Sequence, residues 1–328
     1  MRSTQSEGDT KAGVATVRDM IRYTTPISDS DRWRRFEHRA GDVVISAPQK
    51  SGMTWTQMLC ALVVFDGTVF PASLDEMSPW LDMLTRSENE VFGLFARQRH
   101  RRFIKTHTPL DGLPLRDDVT YLVVGRDPRD VAISFEHHLA NVDGQKLSAT
   151  LAEATGTVLE LPPAAPDEPS ARFRAFVEGV ADSLYPTLAG VLHHLRTGWN
   201  LRTQPNVALF HFADYQRNLV EEMARLADVL GLSVNRSRLT ELAPEAGIGR
   251  MRERAAELAP DTAKNHWRDT RSFFRSGGSG EWRARTSATD RDAYDRRVAE
   301  LVPPELAAWA HHGRLSTHSA SLDSEDLT

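Results

Sequence analysis

The chain has 328 residues, a formal net charge of −5 at pH 7 and one cysteine. This length can bury one large core, and the α/β signals spread along it favour a single domain, while the acidic balance argues against a nucleic-acid-binding protein. The N-terminus lacks a signal-peptide pattern, and no apolar run approaches the ~18 residues of a membrane helix. One cysteine cannot form an internal disulfide and suits a reducing compartment. We therefore expect a cytoplasmic protein that binds neither nucleic acid nor a membrane.

Polar segments flank the predicted domain. Residues 1–14 are polar and lack periodicity, which predicts a disordered leader, and residues 313–328 are predicted to form a disordered tail. The domain is predicted over 15–312. Within it, residues 139–170 are rich in Ala, Thr, Pro and Asp, a composition that suits either a mobile segment over a site or a plain surface insert.

A strand, a loop and a helix follow one another from residue 43 to about residue 63. The run 43–46 is apolar or small with β-branched residues, and Pro48 ends it because proline cannot donate a ladder hydrogen bond. A polar loop follows. From Thr54 the chain is predicted to be helical, because apolar residues recur at three- and four-residue spacings, namely Trp55, Met58, Leu59, Leu62 and Val63.

The loop between this strand and helix has the features of an anion site. Amides at a helix start lack intrahelical partners and point with the helix dipole toward a negative charge. Gly52 permits close backbone approach, Lys50 supplies a cation, and Ser51 and Thr54 supply hydroxyl donors. The alternative is a simple Ser-x-x-Thr helix cap in an unrelated α/β domain. The Walker pattern is absent, since Lys50 and Ser51 precede the only glycine of the loop.

Two further strand ends carry chemically capable residues. A short strand over 102–105 leads into His107, which places this histidine at the carboxyl end of an α/β sheet, where such folds place their sites. A continuous apolar run over 119–124 predicts a buried parallel strand and leads into Arg126. Arg126 and Ser134 can reach one phosphate only if Arg126 folds back across the following helix; the alternative is an ion pair with Asp130.

Four segments of the sequence resemble motifs of the cytosolic-type sulfotransferases. Residues 48–55, Pro-Gln-Lys-Ser-Gly-Met-Thr-Trp, resemble the loop that holds the 5′-phosphosulfate of 3′-phosphoadenosine 5′-phosphosulfate (PAPS). Residues 105–107 match the family's Lys-Thr-His. Residues 126–134 match its Arg-Asp-Pro-x-Asp-x-x-x-Ser pattern, and 272–283 resemble its late Arg- and Gly-rich loop.

The resemblance implies a fold, a reaction and a set of site residues. The fold is a single α/β domain whose mostly parallel β-sheet carries helices on both faces and a P-loop-like phosphosulfate-binding loop. The reaction is in-line transfer of a sulfuryl group from PAPS to a hydroxyl or amine of a small-molecule acceptor, leaving 3′,5′-adenosine diphosphate (PAP) and needing no metal. The implied catalytic residues are His107 as the base, Lys50, Lys105 and Ser134. The implied cofactor-binding residues are Lys50, Ser51, Gly52, Met53, Thr54, Trp55, Arg126, Ser134, Phe212, Arg275, Ser276 and Gly277.

The sequence departs from the family at several of these positions. Met53 stands where the family has a threonine, and Ser276 replaces a lysine. Phe212 keeps only the aromatic ring of the family's tyrosine. The segment 247–251 retains only the methionine of the family's adenine-contacting stretch. Adenine contacts in that segment, the identity of the acceptor and the oligomeric state are left open.

Two other functions remain as alternatives. A P-loop-like phosphotransferase would need a magnesium ligand, such as an acidic residue at the end of a buried strand, but Gly125 and Arg126 follow the strand over 119–124. A non-catalytic nucleotide-binding protein on the same fold is the second alternative. The presence of both Lys50 and His107 argues against it.

Overall fold

The computed structural model describes residues 20–158, 168–180, 185–260 and 264–314. Its strands are β1 (Thr24–Thr25), β2 (Ser28–Asp29), β3 (Val43–Ser46), β4 (Phe103–Thr106), β5 (Thr120–Gly125) and β6 (Val207–His211). β1 and β2 form a short antiparallel hairpin. The other four strands form one parallel sheet in the order β4-β3-β5-β6.

Helices make up most of the remaining structure. The first half of the described chain contains α1 (Arg32–Arg35), α2 (Met53–Phe65), α3 (Leu74–Met77), α4 (Glu88–Arg97), α5 (Pro128–Asn141) and α6 (Gly144–Thr155). The second half contains α7 (Pro169–Glu178), α8 (Leu188–Asn200), α9 (Phe212–Arg217), α10 (Leu219–Val229), α11 (Arg236–Leu242), α12 (Ile248–Glu253), α13 (Ala255–Leu258), α14 (Trp282–Arg285), α15 (Ala288–Leu301) and α16 (Pro304–His312). Short 3-10 turns lie at Leu110–Gly112, Ala243–Ala246 and Arg271–Phe273.

The central sheet separates two hydrophobic cores. Side chains of a strand alternate between the two faces of a sheet, and along β5 Leu122 and Val124 belong to one core while Tyr121 and Val123 belong to the other. Helices α2, α10 and α11 pack in the first core; α5, α7, α8, α15 and α16 pack in the second. Because both faces are covered, the strands are buried and mostly apolar, with Ser46, Lys105 and Thr106 among the polar exceptions. The predicted single α/β domain with helices on both faces of a parallel sheet is confirmed.

The predicted boundaries and connections need revision in three places. The sequence also predicts a final helix over about 289–301, which corresponds to α15, but α16 follows it and was not predicted. Residue 314 is part of the folded domain, because Arg314 Nη2 donates to Glu222 Oε1 at 2.6 Å. Of the predicted insert 139–170, residues 144–155 form α6. The predicted leader, residues 159–167 of the insert and residues 315–328 of the predicted tail lie outside the described residues.

The parallel register brings four loops to one edge of the sheet. Ser46 at the end of β3 lies beside Thr106 at the end of β4, and Gly125 at the end of β5 lies beside His211 at the end of β6. The loops and helices that follow these strand ends contain most of the sequence-predicted site residues, while Arg275, Ser276 and Gly277 lie in the late loop before α14. Among the helices of the described ranges, none combines the length and the apolarity needed to cross a bilayer.

Candidate active site

The loop between β3 and α2 exposes the start of a 13-residue helix. Lys50 and Gly52 have positive φ angles of 65° and 102°, so the loop turns through left-handed backbone conformations. A Cβ at position 52 would lie 3.2 Å from Phe212 Cδ2, which is a second reason for glycine there. None of the described side chains caps α2. Its first amides and the positive end of its dipole are therefore available to an anion.

A cavity of about 300 Å³ opens at this edge of the sheet. Every sequence-predicted site residue except Ser51 lines it. Ser51 is fully buried behind the loop, and its Oγ has no hydrogen-bond partner among the described residues. The predicted residues that line the cavity are Lys50, Gly52, Met53, Thr54, Trp55, Lys105, His107, Arg126, Ser134, Phe212, Arg275, Ser276 and Gly277.

His107 is held in one orientation and one protonation state. Its Nδ1 lies 2.7 Å from the backbone oxygen of Ala47, and a carbonyl oxygen can only accept, so Nδ1 carries the proton and donates. Trp80 meets the imidazole edge to face, with ring centroids 4.6 Å apart. Burial and the nearby Lys105 ammonium hold the pKa of His107 well below its usual value. The imidazole is therefore neutral near pH 7, with Nε2 unprotonated and able to take a proton.

Lys50 has an unusually acidic ammonium group. Burial in the cavity wall, followed by repulsion from Arg126, Lys105 and Arg275, lowers its pKa to about 7. The ammonium group lies 4.7 Å from the centroid of the Phe273 ring. Four cationic side chains thus converge on one cavity, and of these Arg275 is paired with Glu281. This arrangement is suited to a highly charged ligand.

Arg126 joins two of the loops that surround the cavity. Its guanidinium donates to the backbone oxygen of Lys50 at 3.0 Å and to that of Gly278 at 2.9 Å. It also lies over the Phe212 ring at 4.3 Å. The alternative of an ion pair with Asp130 is not what the structure contains, since Asp130 instead accepts a hydrogen bond from the Gly280 amide at 2.7 Å. Arg126 Nε is buried and has no partner among the described residues.

The late loop forms another wall of the cavity. Arg275 is 42 % exposed and pairs with Glu281 at 2.5 Å. Gly277 has a φ of 63°, and its carbonyl accepts from Gln216 Nε2 at 2.7 Å. Ser276 is exposed to solvent. The loop is thus anchored at both ends while the Arg275 guanidinium stays accessible to an incoming anion.

An aromatic corner lies beside the helix start. Trp55 contacts Phe212 and Tyr215 edge to face, with ring centroids 5.1 and 5.3 Å apart. The Tyr215 hydroxyl lies 3.0 Å from Thr56 Oγ1, which fixes the ring. Sequence reasoning identified Trp55 and Phe212 and did not identify Tyr215. Such a corner offers flat apolar surface to a planar ring.

Sequence reasoning also missed one side of the cavity. His138 and Trp267 line it but lie outside the matched motifs, and Phe273, which lies in the matched segment 272–283, was not singled out. The position of His138 could have been inferred, because it follows Ser134 by four residues and so lies on the same helix face. Trp267 reaches the site through tertiary contacts that no local pattern signals. Trp80 lines the cavity as well, as do Ile248 and Met251 of the segment poorly matched to the family.

The fold and this cavity define an α/β enzyme that binds a ligand carrying several negative charges. A sequence model described as the sulfotransferase domain matches residues 40–303. The chain therefore belongs to the sulfotransferase family, and the protein is a sulfotransferase. The cytosolic-type resemblance seen in the four motifs is thus confirmed at the level of the family.

Proteins with similar sequences include two from mycobacteria. A glycolipid sulfotransferase of Mycobacterium bovis is 44 % identical over 313 residues, which cover 90 % of this chain and 95 % of that protein. A glycolipid sulfotransferase of Mycobacterium tuberculosis is 44 % identical over 312 residues with the same coverage. A luciferin sulfotransferase of Photinus pyralis is 24 % identical over 64 % of this chain and 56 % of that protein.

Solved structures of similar fold include two complexes with PAP. Retinol dehydratase with androsterone and inactive cofactor PAP matches with a TM-score of 0.64 and 21 % identity, over 84 % of this chain and 86 % of that one. A mouse sulfotransferase complexed with PAP matches with a TM-score of 0.60 and 18 % identity, over 84 % and 89 % of the two chains. At these identities the likeness concerns the fold.

Proposed function

We propose that this sulfotransferase moves a sulfuryl group from PAPS to a hydroxyl group of a glycolipid-like acceptor. The observation that carries the proposal is the convergence of Lys50, Lys105, Arg126 and Arg275 with a neutral His107 in one cavity at the start of α2. Cations and free helix amides suit the phosphosulfate and the 3′-phosphate of the donor. The neutral imidazole suits the acceptor hydroxyl, which must lose a proton.

Different side chains have different roles in the transfer reaction. PAPS supplies a sulfuryl group already attached to a phosphate leaving group. His107 Nε2 takes the proton of the acceptor hydroxyl, while its Nδ1 keeps the hydrogen bond to Ala47 that orients the ring. Lys50 stabilises the negative charge that grows on the leaving phosphate, and Lys105 holds the sulfonate oxygens. The side-chain cations carry this charge stabilisation, so the proposed reaction requires no metal.

The rest of the donor is held around the same cavity. Arg126, Ser134 and Arg275 bind the 3′-phosphate, with Gly277 allowing the late loop to approach it closely. Trp55 and Phe212 offer the adenine ring a flat apolar surface. Thr54 adds a hydroxyl donor around the 5′-phosphate, together with the amides of the α2 start, whereas the predicted Ser51 hydroxyl is buried behind the loop and does not line the cavity.

Two observations support the acceptor class, namely the names of the similar proteins and the aromatic side chains that line the cavity. The two mycobacterial relatives are named glycolipid sulfotransferases. In this chain, the aromatic rings of Trp80, Trp267 and Phe273 line the cavity, and such rings pack well against the apolar face of a sugar or an alkyl chain. We also propose that the reaction takes place in the cytoplasm, since Cys60, a buried free thiol, suits a reducing compartment.

Ligand-dependent stabilisation tests the proposed donor. A ligand that binds the native state alone raises the melting temperature, so PAP at a concentration far above its dissociation constant should raise it by several degrees. ATP with magnesium at the same concentration should give a much smaller shift, because it lacks the 3′-phosphate. A larger shift with ATP and magnesium would instead support the phosphotransferase alternative.

The low pKa of Lys50 predicts a pH-dependent affinity for PAP. Well below pH 7 the ammonium is already formed, so the Lys50 contribution to affinity should be flat. Above pH 7, binding an anion must also bind a proton, because the anion raises the Lys50 pKa. We expect PAP to bind about tenfold more weakly at about pH 8.5 than at about pH 7. Calorimetry in buffers of different ionisation enthalpy should detect proton uptake. Lys50→Arg stays charged and should remove both effects; a wild-type affinity that does not change with pH would contradict the assignment.

Restoring the two residues that differ from the family should strengthen donor binding. Met53 is 5 % exposed at the start of α2, and Met53→Thr should add a hydrogen bond worth ~1 kcal/mol, or about fivefold in affinity. Ser276 is exposed, and Ser276→Lys should add a similar or smaller Coulombic gain that fades as salt rises. Titration of PAP at low and high salt separates the two effects. If neither change improves affinity, these positions make other contacts.

A further inference from the structure

We propose that His138 binds a second hydroxyl group of the acceptor, next to the one that receives the sulfuryl group. The site would then select sugar-like vicinal diols over isolated alcohols and phenols. This inference rests on the proposed function, because it concerns the acceptor half of the same cavity. His138 is a positioning residue in this account and takes no part in the proton transfer.

The first support is the location of His138. It lies on α5 one helical turn after Ser134, and both side chains line the cavity. Burial lowers the pKa of His138 well below its usual value. The positive charges of Lys50 and Lys105 lower this pKa further, as does the imidazole of His107. His138 therefore lies within electrostatic reach of the three groups that surround the transferred sulfuryl, and it is neutral there.

The second support is an unmet hydrogen-bonding capacity. The His138 imidazole makes no hydrogen bond to any residue in the described part of the chain, and its Nδ1 is inaccessible. The ring lies among aromatic neighbours, with centroid distances of 5.2 Å to Trp267, 5.6 Å to Phe135 and 6.4 Å to Phe273. Polar groups in such surroundings nearly always have partners. Nε2 is the ring nitrogen left to meet a ligand.

The contrast with His107 indicates different roles for the two histidines. Ala47 fixes the His107 ring and its proton, as a base requires. Among the described residues no carbonyl or carboxylate fixes the His138 ring, so its neutral imidazole can present Nε2 to a hydroxyl either as donor or as acceptor. A sugar ring offers hydroxyls on adjacent carbons and an apolar face that can lie against Trp267. A phenol or a simple alcohol would leave His138 without a hydrogen-bond partner. This disfavours both acceptors relative to the diol.

A matched pair of acceptors tests the proposal. One is a 4-alkyl-trans-1,2-cyclohexanediol and the other is the 4-alkylcyclohexanol that lacks one hydroxyl. In the wild type we expect the diol to have a kcat/KM at least tenfold higher. His138→Leu should lower kcat/KM for the diol about tenfold to a hundredfold, mainly through KM, and leave the cyclohexanol within about twofold. His138→Gln, which retains hydrogen-bonding groups, should recover part of the loss.

Controls separate this role from a structural one and from the proposed function itself. PAP affinity should stay within about twofold in both variants, and His193→Leu, a matched change outside the cavity, should preserve the preference for the diol. Equal losses for the two acceptors, or an unchanged preference in His138→Leu, would overturn the inference. Calorimetry of both acceptors with the PAP-saturated protein measures the same preference for the diol as a difference in binding affinity, without turnover. If the wild type transferred no sulfuryl group, the proposed function would be wrong. The difference in binding between the diol and the cyclohexanol would still show whether His138 binds the second hydroxyl.

Discussion

His107→Ala is expected to lower sulfuryl transfer by about a thousandfold or more, while PAP affinity stays within about threefold of wild type. General base catalysis contributes roughly 10²–10⁴ to rates, and the neutral imidazole with its proton fixed on Nδ1 has the form that this role needs. The loss should lie in kcat, because in the proposed mechanism His107 acts on the acceptor proton and not on the nucleotide. Single-turnover kinetics with saturating PAPS measures it directly.

Two observations would separate a lost base from a disturbed site. His107→Ala removes the edge contact with Trp80, so the acceptor KM should be measured as well as kcat. His211→Ala is a useful comparison, since the Nε2 of this buried histidine donates to the backbone oxygen of Ala310 at 3.1 Å and the residue lies outside the cavity. Near wild-type turnover of a hydroxyl acceptor by His107→Ala would remove His107 from the mechanism.

The second large effect is expected at Arg126. Charge-assisted hydrogen bonds to the 3′-phosphate are worth ~1.5–3 kcal/mol, so Arg126→Ala should weaken PAP by about tenfold to a hundredfold. AMP lacks that phosphate, and its affinity should change little. Isothermal calorimetry of both ligands on wild type and variant makes the comparison.

The structure sharpens this test, because Arg126 also joins two loops. Its hydrogen bonds to the carbonyls of Lys50 and Gly278 hold the first loop and the late loop together. If this structural role dominated, Arg126→Ala would weaken PAP and AMP alike. Arg126→Lys serves as a matched variant, since it keeps the charge and loses the planar fork. Equal losses of affinity for PAP and AMP in Arg126→Ala would show that Arg126 does not bind the 3′-phosphate.

The sequence allowed the central sheet to be predicted because its strands are buried on both faces. Such strands are largely apolar runs, and β3, β5 and β6 follow this rule, whereas β4 is buried but ends in Lys105 and Thr106. The helices α3 and α16 were missed for different reasons. α3 spans four residues, too short for periodicity, although Ser73 and Glu76 form a capping box that marks its start. α16 begins at Pro304, a residue that reads as a helix stop unless it is placed in the first turn.

The candidate site was predictable where it follows strand ends and unpredictable where distant segments meet. Lys50, His107 and Arg126 each come shortly after a parallel strand, and parallel strands end at one edge. Trp267 reaches the same cavity because the segment around it pairs with the end of α5. The Arg268 amide donates to the Asn141 oxygen at 2.8 Å. Contacts over more than a hundred residues leave no local signal, so this acceptor-side wall emerged only from the structure.

The central claim, sulfuryl transfer from PAPS to a sugar-like hydroxyl, is tested most directly by following the label from sulfur-labelled PAPS. Wild-type protein would be incubated with labelled PAPS and an alkyl glycoside without added metal, with His107→Ala in parallel. The account predicts a labelled sulfated glycoside and PAP in equal amounts with wild type, and neither above background with His107→Ala. PAPS that stays intact in the presence of wild type and a panel of alkyl glycosides, phenols and amines would contradict it.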